Sequence, residues 1–436
     1  MKQSYFKDSD DDQLLSLHAK IKKKSLTHGN VLLDDSLLES FSCEGDHKDS
    51  VSDRTGILSG ISSDEDREEV SCSSRKSLLG GISSEEYDGD DEDSGVLCLG
   101  DASSSSTSIE HKFFDKTQIA PGAIFDTHCH LEFIRKRFGR DISLEECLEL
   151  DGENLGDKFG GAIVNFCQPS EWGTGPGQRA VTPLLRNSAK DARVGITIGC
   201  HPHFADQMTP ARWAQIETLI SSPSDEFPWL RIVAVGECGL DYSRKNTVPV
   251  HVQKRVFIKQ IKLAMKYNIP LVLHIRDAEL DGLEVMKEAG VPKNYPVHRH
   301  CFGGDLRMAN VWLEEFSECK IGVTNAVNNY FNTNIVKVIQ GVGAEKIIFE
   351  TDAPYFVPMI AQPKYQNCSF PSQVVYVAAK VAELKGMTLP MVLEQNVINS
   401  QKIYKRFFEA RKEVKTYRVK LLNKIMPLAE NSVRGK

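Results

Sequence analysis

The sequence lacks the features expected of a membrane-inserted or secreted protein. No uninterrupted apolar run in its 436 residues approaches the ~18–20 residues needed to cross a bilayer. The first residues, MKQSYFKDSDDD, contain no apolar stretch typical of a cleaved signal. The 11 cysteines form no C-x-x-C pair, which disfavours a disulfide scaffold and a zinc ribbon. We therefore expect an intracellular protein in the nucleus or cytoplasm, with the basic run KIKKK at 20–24 favouring the nucleus.

Charge is distributed unevenly along the chain. Residues 1–120 contain 26 acidic and 13 basic side chains, whereas residues 402–436 contain 3 acidic and 11 basic ones. The first segment is dominated by Ser, Asp, Glu and Gly, and it has too few large apolar residues to offset the entropy of ordering it. We expect a disordered acidic region over 1–120 that is available to protein partners. The other end predicts a basic tail or helix extension over 410–436.

The intervening segment, 121–409, alternates short β-rich apolar runs with longer segments of helical period, such as 251–268. Eight runs predict strands, at 123–130, 161–168, 194–201, 232–239, 270–277, 295–302, 319–326 and 345–352. Eight apolar strands separated by helices predict an α/β fold of the (β/α)8 TIM-barrel type. An open doubly wound sheet would give the same alternation and stays an alternative at this point.

Polar residues collect at the C-terminal ends of these predicted strands, which is the face of a barrel that carries catalytic groups. They are His128, His130, His201, Glu237, His274, His300 and Asp352. His128 and His130 form H-x-H on one strand, and residues two apart point to the same side, so both imidazoles can reach one ion. Each residue taken singly is more often a hydrogen-bonded side chain than a ligand. Their collection on one rim favours a metal site.

Six motifs in this order give a more specific indication: DTHCHLE, GCHPH, GECGLDY, LHIRDA, HCFGG and ETDAPY. This series resembles the signature motifs of the TatD family of metal-dependent nucleases, which belongs to the amidohydrolase-like barrel superfamily. The resemblance runs from about Ala123 to Phe408. The long acidic extension makes the chain most similar to an animal branch of the family, although the extension itself has no counterpart in the family motifs.

The resemblance implies a site for two divalent ions, either Mg²⁺, Mn²⁺ or Zn²⁺. The implied ligands are His128, His130, Glu237 and Asp352 for one ion, and Glu237, His274 and His300 for the other. Glu237 would bridge the two ions, and Asp352 would act as the general base. Two ions roughly 3.5–4 Å apart suit phosphodiester hydrolysis, because together they stabilise the attacking and the leaving oxygen.

The resemblance also implies contacts with a substrate phosphate, made by His201, His203 and Arg276. For His203, a rim residue satisfied by solvent is an equal alternative. His298, two residues before His300, forms a second H-x-H, but the HCF match favours His300 as the ligand. Asn396 is assigned to a helix without a role.

The expected function is therefore hydrolysis of phosphodiester bonds in DNA or RNA, as a 3′–5′ exonuclease. One alternative is a barrel hydrolase of a small amide, ester or lactone, but many such relatives bridge their metals with a carboxylated lysine, and VAVGECGLDY contains no lysine. Another alternative is a catalytically silent adaptor. The basic end would either run along a nucleic-acid backbone or pack Tyr404 and Phe407 or Phe408 against the barrel.

Overall fold

The structure is a computed structural model that describes residues 114–172, 183–221, 232–328, 333–358 and 368–412. Most of the predicted acidic region, including the basic run at 20–24, lies outside these ranges, because the description begins at residue 114. The predicted basic tail also lies outside them beyond residue 412.

Eight parallel strands form one sheet in which each strand pairs with the next along the chain. They are β1 (Ile124–Cys129), β2 (Phe159–Phe166), β3 (Val194–Ile198), β4 (Ile232–Asp241), β5 (Leu271–Arg276), β6 (Val297–Arg299), β7 (Cys319–Val323) and β8 (Ile347–Phe349). The last strand returns to the first, since the His130 N–H donates to the Ala353 carbonyl at 2.7 Å. The nearly closed barrel confirms the predicted TIM-type fold, and the sequential strand order excludes the doubly wound alternative.

Helices connect the strands and cover the outside of the barrel. They are α1 (Leu131–Phe138), α2 (Leu144–Leu150), α3 (Pro183–Lys190), α4 (Pro210–Ser221), α5 (Val250–Tyr267), α6 (Glu279–Glu288), α7 (Leu306–Glu315), α8 (Thr333–Gly341), α9 (Val374–Lys385) and α10 (Leu389–Ile403). The helix predicted over 251–268 is α5, which buries Val256, Ile261 and Ala264 at helical spacing. It ends at Asn268, whose left-handed conformation terminates the helix.

All eight predicted strands are present, but β6 and β8 are shorter than the apolar runs that predicted them. Each consists of three residues, and the predicted strand residues that follow leave the hydrogen-bonded ladder. Asp352, for example, has a left-handed φ of 54°, which ends any strand. The polar residues at these two strand ends therefore lie in turns above the barrel.

Asn396 lies on a helix, as predicted, and it also has a structural role that was not predicted. It lies on α10 and is buried, with its Oδ1 accepting from the Phe349 N–H at 2.8 Å and its Nδ2 donating to the Phe125 carbonyl at 2.9 Å. Phe125 belongs to β1 and Phe349 to β8. The side chain therefore links the first strand to the last, a contact between distant segments that helical spacing does not reveal.

The chain after α10 closes the opposite end of the barrel from the predicted site. Tyr404 and Phe407 are buried against inward-facing residues of the strands, among them Phe125 and Ile163. In the helical stretch 405–412, Arg411 donates to the Gly160 carbonyl at 2.8 Å, at the start of β2. Within the described residues, the basic end thus packs against the barrel, as the second of the two alternatives predicted.

Two further findings concern the disulfide scaffold and the membrane-inserted protein that the sequence disfavoured. The eight cysteines in the described ranges are free thiols, and most of them are buried. Among the same residues, no helix combines the length and the apolar character needed to cross a membrane.

Candidate metal centre

His128 and His130, at the end of β1, point their imidazoles at a common point. Both rings are buried, and their Nε2 atoms are 3.0 Å apart. The pairing of β1 with β2 is irregular between Asp126 and Cys129, yet both side chains reach the same side, as the H-x-H spacing predicts. Asp126 fixes the backbone of this irregular part of β1, because its Oδ1 accepts from the His128 N–H at 3.1 Å.

The carboxylate of Glu237, on β4, lies between two groups of histidines. Its Oε2 is 3.5 Å from His128 Nε2 and 3.4 Å from His130 Nε2. Its Oε1 is 2.8 Å from His274 Nδ1 and 3.5 Å from His300 Nε2. Burial alone would raise the pKa of Glu237, but the surrounding imidazoles, His300 first, hold it well below its usual value. The residue is therefore an anion with one oxygen facing each group.

A glycine two residues after Glu237 permits the close contact between β4 and β5. Gly239 has a φ of 151°, and a Cβ on it would meet the His274 carbonyl oxygen at 1.8 Å. Any larger residue would push the two strands apart and separate Glu237 from His274. This explains the second glycine of the GECG motif.

Asp352 adds a second carboxylate from the end of β8. Its Oδ1 is 3.3 Å from His130 Nε2 and 3.7 Å from His300 Nε2. The Asp352 N–H donates to the His128 carbonyl at 2.9 Å, and this second bond between β1 and the residues after β8 places the carboxylate beside β1. Its left-handed backbone conformation is one that aspartate tolerates better than most residues.

Three of the histidines place their other ring nitrogen against a buried carboxylate. The pairs are His130 Nδ1 with Glu132 Oε1 at 3.2 Å, His274 Nε2 with Asp241 Oδ2 at 3.0 Å, and His300 Nδ1 with Glu350 Oε2 at 3.1 Å. At His130 and His274 the carboxylate holds the proton on that nitrogen and leaves the lone pair of the facing nitrogen for a metal. His300 Nδ1 and Glu350 Oε2 are close but make no hydrogen bond with each other. Sequence reasoning missed all three carboxylates, although each lies inside a quoted motif and two of them end apolar strands.

The residues fit a group of divalent ions. Burial, followed by the nearby charge of His300, lowers the pKa of His128 to about 4. At His300 the surrounding carboxylates, Glu350 first, outweigh burial and raise the pKa to about 9. A histidine ligates a metal in its neutral form, so an ion bound here would displace a proton from His300. The two Nε2 atoms of His128 and His130, 3.0 Å apart, are close enough for both nitrogens to ligate one ion. Nitrogen donors combined with carboxylate oxygens suit Zn²⁺ and Mn²⁺, and the carboxylates also suit Mg²⁺.

Helix α5 positions the rim of the site through two buried glutamines. Gln260 accepts from the Cys200 N–H at 2.7 Å and donates to the Cys200 carbonyl at 3.0 Å, which fixes the backbone next to His201. Gln253 accepts from the Asp241 N–H at 2.9 Å. These contacts were not predicted, because a glutamine on a helix carries no sequence signal for the loop that it holds.

His201 and His203 lie half-buried above Glu237, and their proton positions differ. The Nδ1 of His201 accepts from the His203 N–H at 3.2 Å, so a neutral His201 carries its proton on Nε2. Burial lowers the pKa of His201 well below its usual value, which keeps the ring neutral. The Nε2 of His203 is 3.0 Å from the Asp241 carboxylate and carries its proton there. His201 thus has an N–H on the side that faces Glu237. The Nε2–H of His203 is already hydrogen-bonded to Asp241.

Arg276 and His298 lie at different depths in the barrel. Arg276 is the last residue of β5 and lies half-buried at the rim. Its guanidinium interacts electrostatically with Cys301, the residue after His300. His298 is fully buried below the site, where its Nδ1 contacts the Tyr404 hydroxyl at 2.6 Å. The preference for His300 over His298 as the residue that faces Glu237 therefore agrees with the geometry.

Comparison with known proteins identifies the family of the barrel. A family model described as TatD related DNase matches residues 125–405, which include every residue of the site. The chain belongs to the TatD family. The human 3'-5' RNA nuclease TATDN2 is 30% identical to it over 311 residues, which are 70% of this chain and 38% of the human protein. The 3'-5' ssDNA/RNA exonuclease TatD of Escherichia coli K12 is 30% identical over 197 residues, covering 44% of this chain and 70% of that protein.

A solved TatD structure supports the fold. The TatD homologue YJJV from Escherichia coli K12 superposes with a TM-score of 0.53 at 21% sequence identity, covering 65% of this chain and 98% of that one. At that identity the likeness establishes the barrel alone. The part of this chain that matches spans less than half of the human TatD relative, so the similarity concerns the TatD barrel rather than that whole protein.

Proposed function

We propose that the protein is a divalent-metal-dependent nuclease that hydrolyses phosphodiester bonds of DNA or RNA from the 3′ end. The observation that carries the proposal is the Glu237 carboxylate, with one oxygen facing His128 and His130 and the other facing His274 and His300. A carboxylate placed in this way between two sets of nitrogen donors is suited to bridging two ions.

Under this proposal, one ion would be held by His128, His130, Glu237 and Asp352, and the other by Glu237, His274 and His300. When bound, the ions would supply charge stabilisation at the phosphoryl oxygens and make a water molecule more acidic. Asp352 would accept the proton of the attacking water, since its carboxylate stands at the open side of the histidine cluster and is the more exposed of the two central carboxylates.

The rim residues would hold the scissile phosphate. His201 would donate from Nε2 to a phosphate oxygen, which needs no change in protonation because its Nδ1 already accepts a backbone N–H. Arg276 would add the planar guanidinium that suits an anionic oxygen pair. His203 would contribute less, because its N–H is engaged by Asp241.

The substrate class follows from the relatives rather than from the geometry. The human relative is named as an RNA nuclease and the bacterial one as a nuclease of single-stranded DNA and RNA, both acting 3′ to 5′. We extend both substrates and this polarity to the chain as part of the proposal. A carboxylated lysine bridge of the small-molecule hydrolases is disfavoured, because β4 contributes Glu237 and its sequence, IVAVGECGLD, has no lysine.

We also propose the finer organisation predicted from the sequence. The acidic region over 1–120 would be disordered and bind partner proteins, the barrel would occupy 121–409, and the segment 410–436 would extend it as a basic tail. A nuclear location would follow from the run KIKKK and from a nucleic-acid substrate. Imaging of the tagged protein beside a variant with Lys22, Lys23 and Lys24 changed to alanine tests the location.

The activity is tested with 5′-end-labelled single-stranded DNA and RNA in Mg²⁺ or Mn²⁺, comparing the wild type with Asp352→Asn. A ladder of 5′-labelled products that shorten one nucleotide at a time, lost with EDTA and in the variant, is the expected result. Asp157→Asn, an exposed aspartate before β2, is the matched control and should cleave normally. No cleavage of either polymer by wild-type protein that demonstrably binds metal would contradict the proposal.

A further inference from the structure

Two aromatic side chains lie beside the metal centre, each a few residues after one of its ligands. Phe133 is on α1, three residues after His130, and Tyr355 follows β8, three residues after Asp352. The Tyr355 N–H donates to the Asp352 carbonyl at 2.9 Å, so the two residues share one tight turn. Both aromatic side chains are half-buried, and their ring centroids are 6.2 Å apart in an edge-to-face arrangement.

The ring of Phe133 is stacked on the imidazole of His130. Their centroids are 4.7 Å apart, and the two planes are inclined by 29°. The Nε2 of this imidazole is 3.4 Å from Glu237 Oε2, inside the centre. A planar group that packs against Phe133 or Tyr355 would therefore lie next to a phosphate held at the ions.

Packing of the hydrophobic core does not explain these two rings. Phe138, on the same helix as Phe133, packs against the core, and its ring centroid is 6.2 Å from that of Phe370. In the part of the chain that the structure describes, neither Phe133 nor Tyr355 is among the partly buried apolar side chains that pack against the two core clusters. Half-exposed apolar groups rimmed by polar ones are typical of ligand-binding surfaces.

Two basic side chains from the last turn of α1 lie over the same rings. The Lys136 Nζ is 4.8 Å from the centroid of Phe133, and the guanidinium carbon of Arg137 is 5.2 Å from that of Tyr355. Lys136 is exposed, and its Nζ also donates to Gln168 Oε1. A stacked base stabilises more than an exposed cation over a ring does, so a base can displace the Lys136 ammonium. The displaced ammonium would then be available to the phosphate beside that base.

We propose that Phe133 and Tyr355 form a stacking platform for a base of single-stranded nucleic acid next to the scissile phosphate, with Lys136 and Arg137 binding the adjoining phosphates. Aromatic faces combined with cations bind single strands with little sequence preference. A base inside a duplex already stacks on both of its neighbours, so the platform favours an unpaired end. This inference rests on the proposed function and adds the part of the strand that is recognised beside the ions.

The test compares two single-stranded DNA substrates of equal length, one unmodified and one whose last two nucleotides at the 3′ end are abasic. For full-length wild-type protein with Mn²⁺, we expect the abasic end to raise KM about tenfold with little change in kcat, because the phosphates remain and the stacking group is lost. Phe133→Leu should raise KM for the unmodified strand by a similar factor and treat the two substrates alike. Tyr355→Leu, in a different segment, should also reduce this discrimination, and it carries the test if Phe133→Leu does not fold.

The matched control for the rings is Phe138→Leu, which changes an aromatic residue of the same helix that packs against the core. It should lower the Tm and keep the tenfold discrimination. Lys136→Gln should weaken the dependence of KM on salt, because one phosphate contact is lost. Its control is Lys259→Gln, since Lys259 is also an exposed lysine over an aromatic ring, 4.4 Å from the centroid of Trp213 among the outer helices. The salt dependence of that variant should equal that of the wild type.

The outcomes separate the stacking platform from the proposed function. Wild-type protein that binds Mn²⁺ and cleaves neither DNA substrate nor RNA would overturn the nuclease and the platform together. Wild-type protein that cleaves both DNA substrates with the same KM would overturn the platform alone. Phe133→Leu and Tyr355→Leu proteins that keep the tenfold discrimination would do the same, and the nuclease would stand.

Discussion

The Nε2 atoms of His128 and His130 face each other at 3.0 Å inside the barrel. Two neutral imidazoles can share one proton at such a distance, but the carboxylate oxygens of Glu237 and Asp352 also converge on these nitrogens. A cation placed among them satisfies all four groups at once. The convergence of these two imidazoles and two carboxylates is the physical reason for assigning a metal centre to this end of the barrel.

The first prediction concerns the bridging carboxylate. Glu237→Gln keeps the shape of the side chain and removes its charge, and we expect hydrolysis to fall by at least about 10³-fold because the centre loses the anion between its two halves. Hydrolysis is measured on labelled single-stranded substrate, and folding by circular dichroism. Glu318→Gln, an exposed glutamate, serves as the control. Turnover of the Glu237→Gln protein at wild-type rates would rule out the bridging assignment.

The second prediction ranks the two rim histidines. His201→Ala should lower kcat/KM about 10²-fold, the usual effect of losing one preorganised donor, and leave the Kd for Mn²⁺ unchanged. His203→Ala should have a smaller effect, under about tenfold, since its N–H is engaged by Asp241. The exposed His251→Ala is the control. An equal loss in the two rim variants, or a loss of metal affinity in His201→Ala, would show that the proton positions are assigned wrongly.

The third prediction concerns the closure of the barrel. Asn396→Leu leaves the Phe349 N–H and the Phe125 carbonyl without partners, at a cost of about 1–3 kcal/mol each. We expect the free energy of unfolding to fall by about 2–5 kcal/mol, measured by urea titration. Gln395→Leu, the neighbouring position on the same helix, is the comparison, because the Gln395 side chain donates to Asn399 on its own helix. Similar stability of the two variants would refute a role for Asn396 in joining β1 to β8.

The fourth prediction is a pH dependence of stability. Burial raises the pKa of Asp151 to about 7, and its Oδ2 has no hydrogen-bond partner. Because this pKa is above that of the unfolded chain, the folded protein is favoured at low pH, and stability is lost as the pH rises from about 4 to about 7. Asp151→Asn should therefore raise the Tm at pH 8 by several degrees and change it little at pH 4.

Thermal unfolding of the wild type and of Asp151→Asn at the two pH values measures this effect. Glu146→Gln, on the helix α2 that ends just before Asp151, is a control of opposite sign, because the Ser143 N–H and Arg140 lower the pKa of Glu146. A Tm for Asp151→Asn at or below that of the wild type at pH 8 would contradict the assignment.

The barrel could be predicted because its strands are short apolar runs that end in polar residues. The H-x-H spacing likewise placed His128 and His130 on one side of β1, and position at a strand end brought Glu237, His274 and Asp352 to one rim. These properties are local, so the sequence expresses them directly. The boundaries of β6 and β8 were less predictable, because apolar residues continue past the point where the ladder ends.

The supporting contacts could not be predicted, because they join segments that are distant in sequence. Glu350 and Asp241 stood inside quoted motifs, but nothing local indicates which histidine each one faces. The contact of Tyr404 with His298 spans 106 positions, and that of Asn396 with Phe125 spans 271. Such pairs depend on how the barrel closes and on where the C-terminal segment packs, which only the folded chain defines.

The most direct test of the account is a crystal structure of the protein loaded with Mn²⁺, with the ions located by anomalous scattering. We expect two peaks about 3.5–4 Å apart, one beside each oxygen of the Glu237 carboxylate. The first should be coordinated by His128, His130 and Asp352, and the second by His274 and His300. One peak alone, or two peaks that do not share Glu237, would contradict the account.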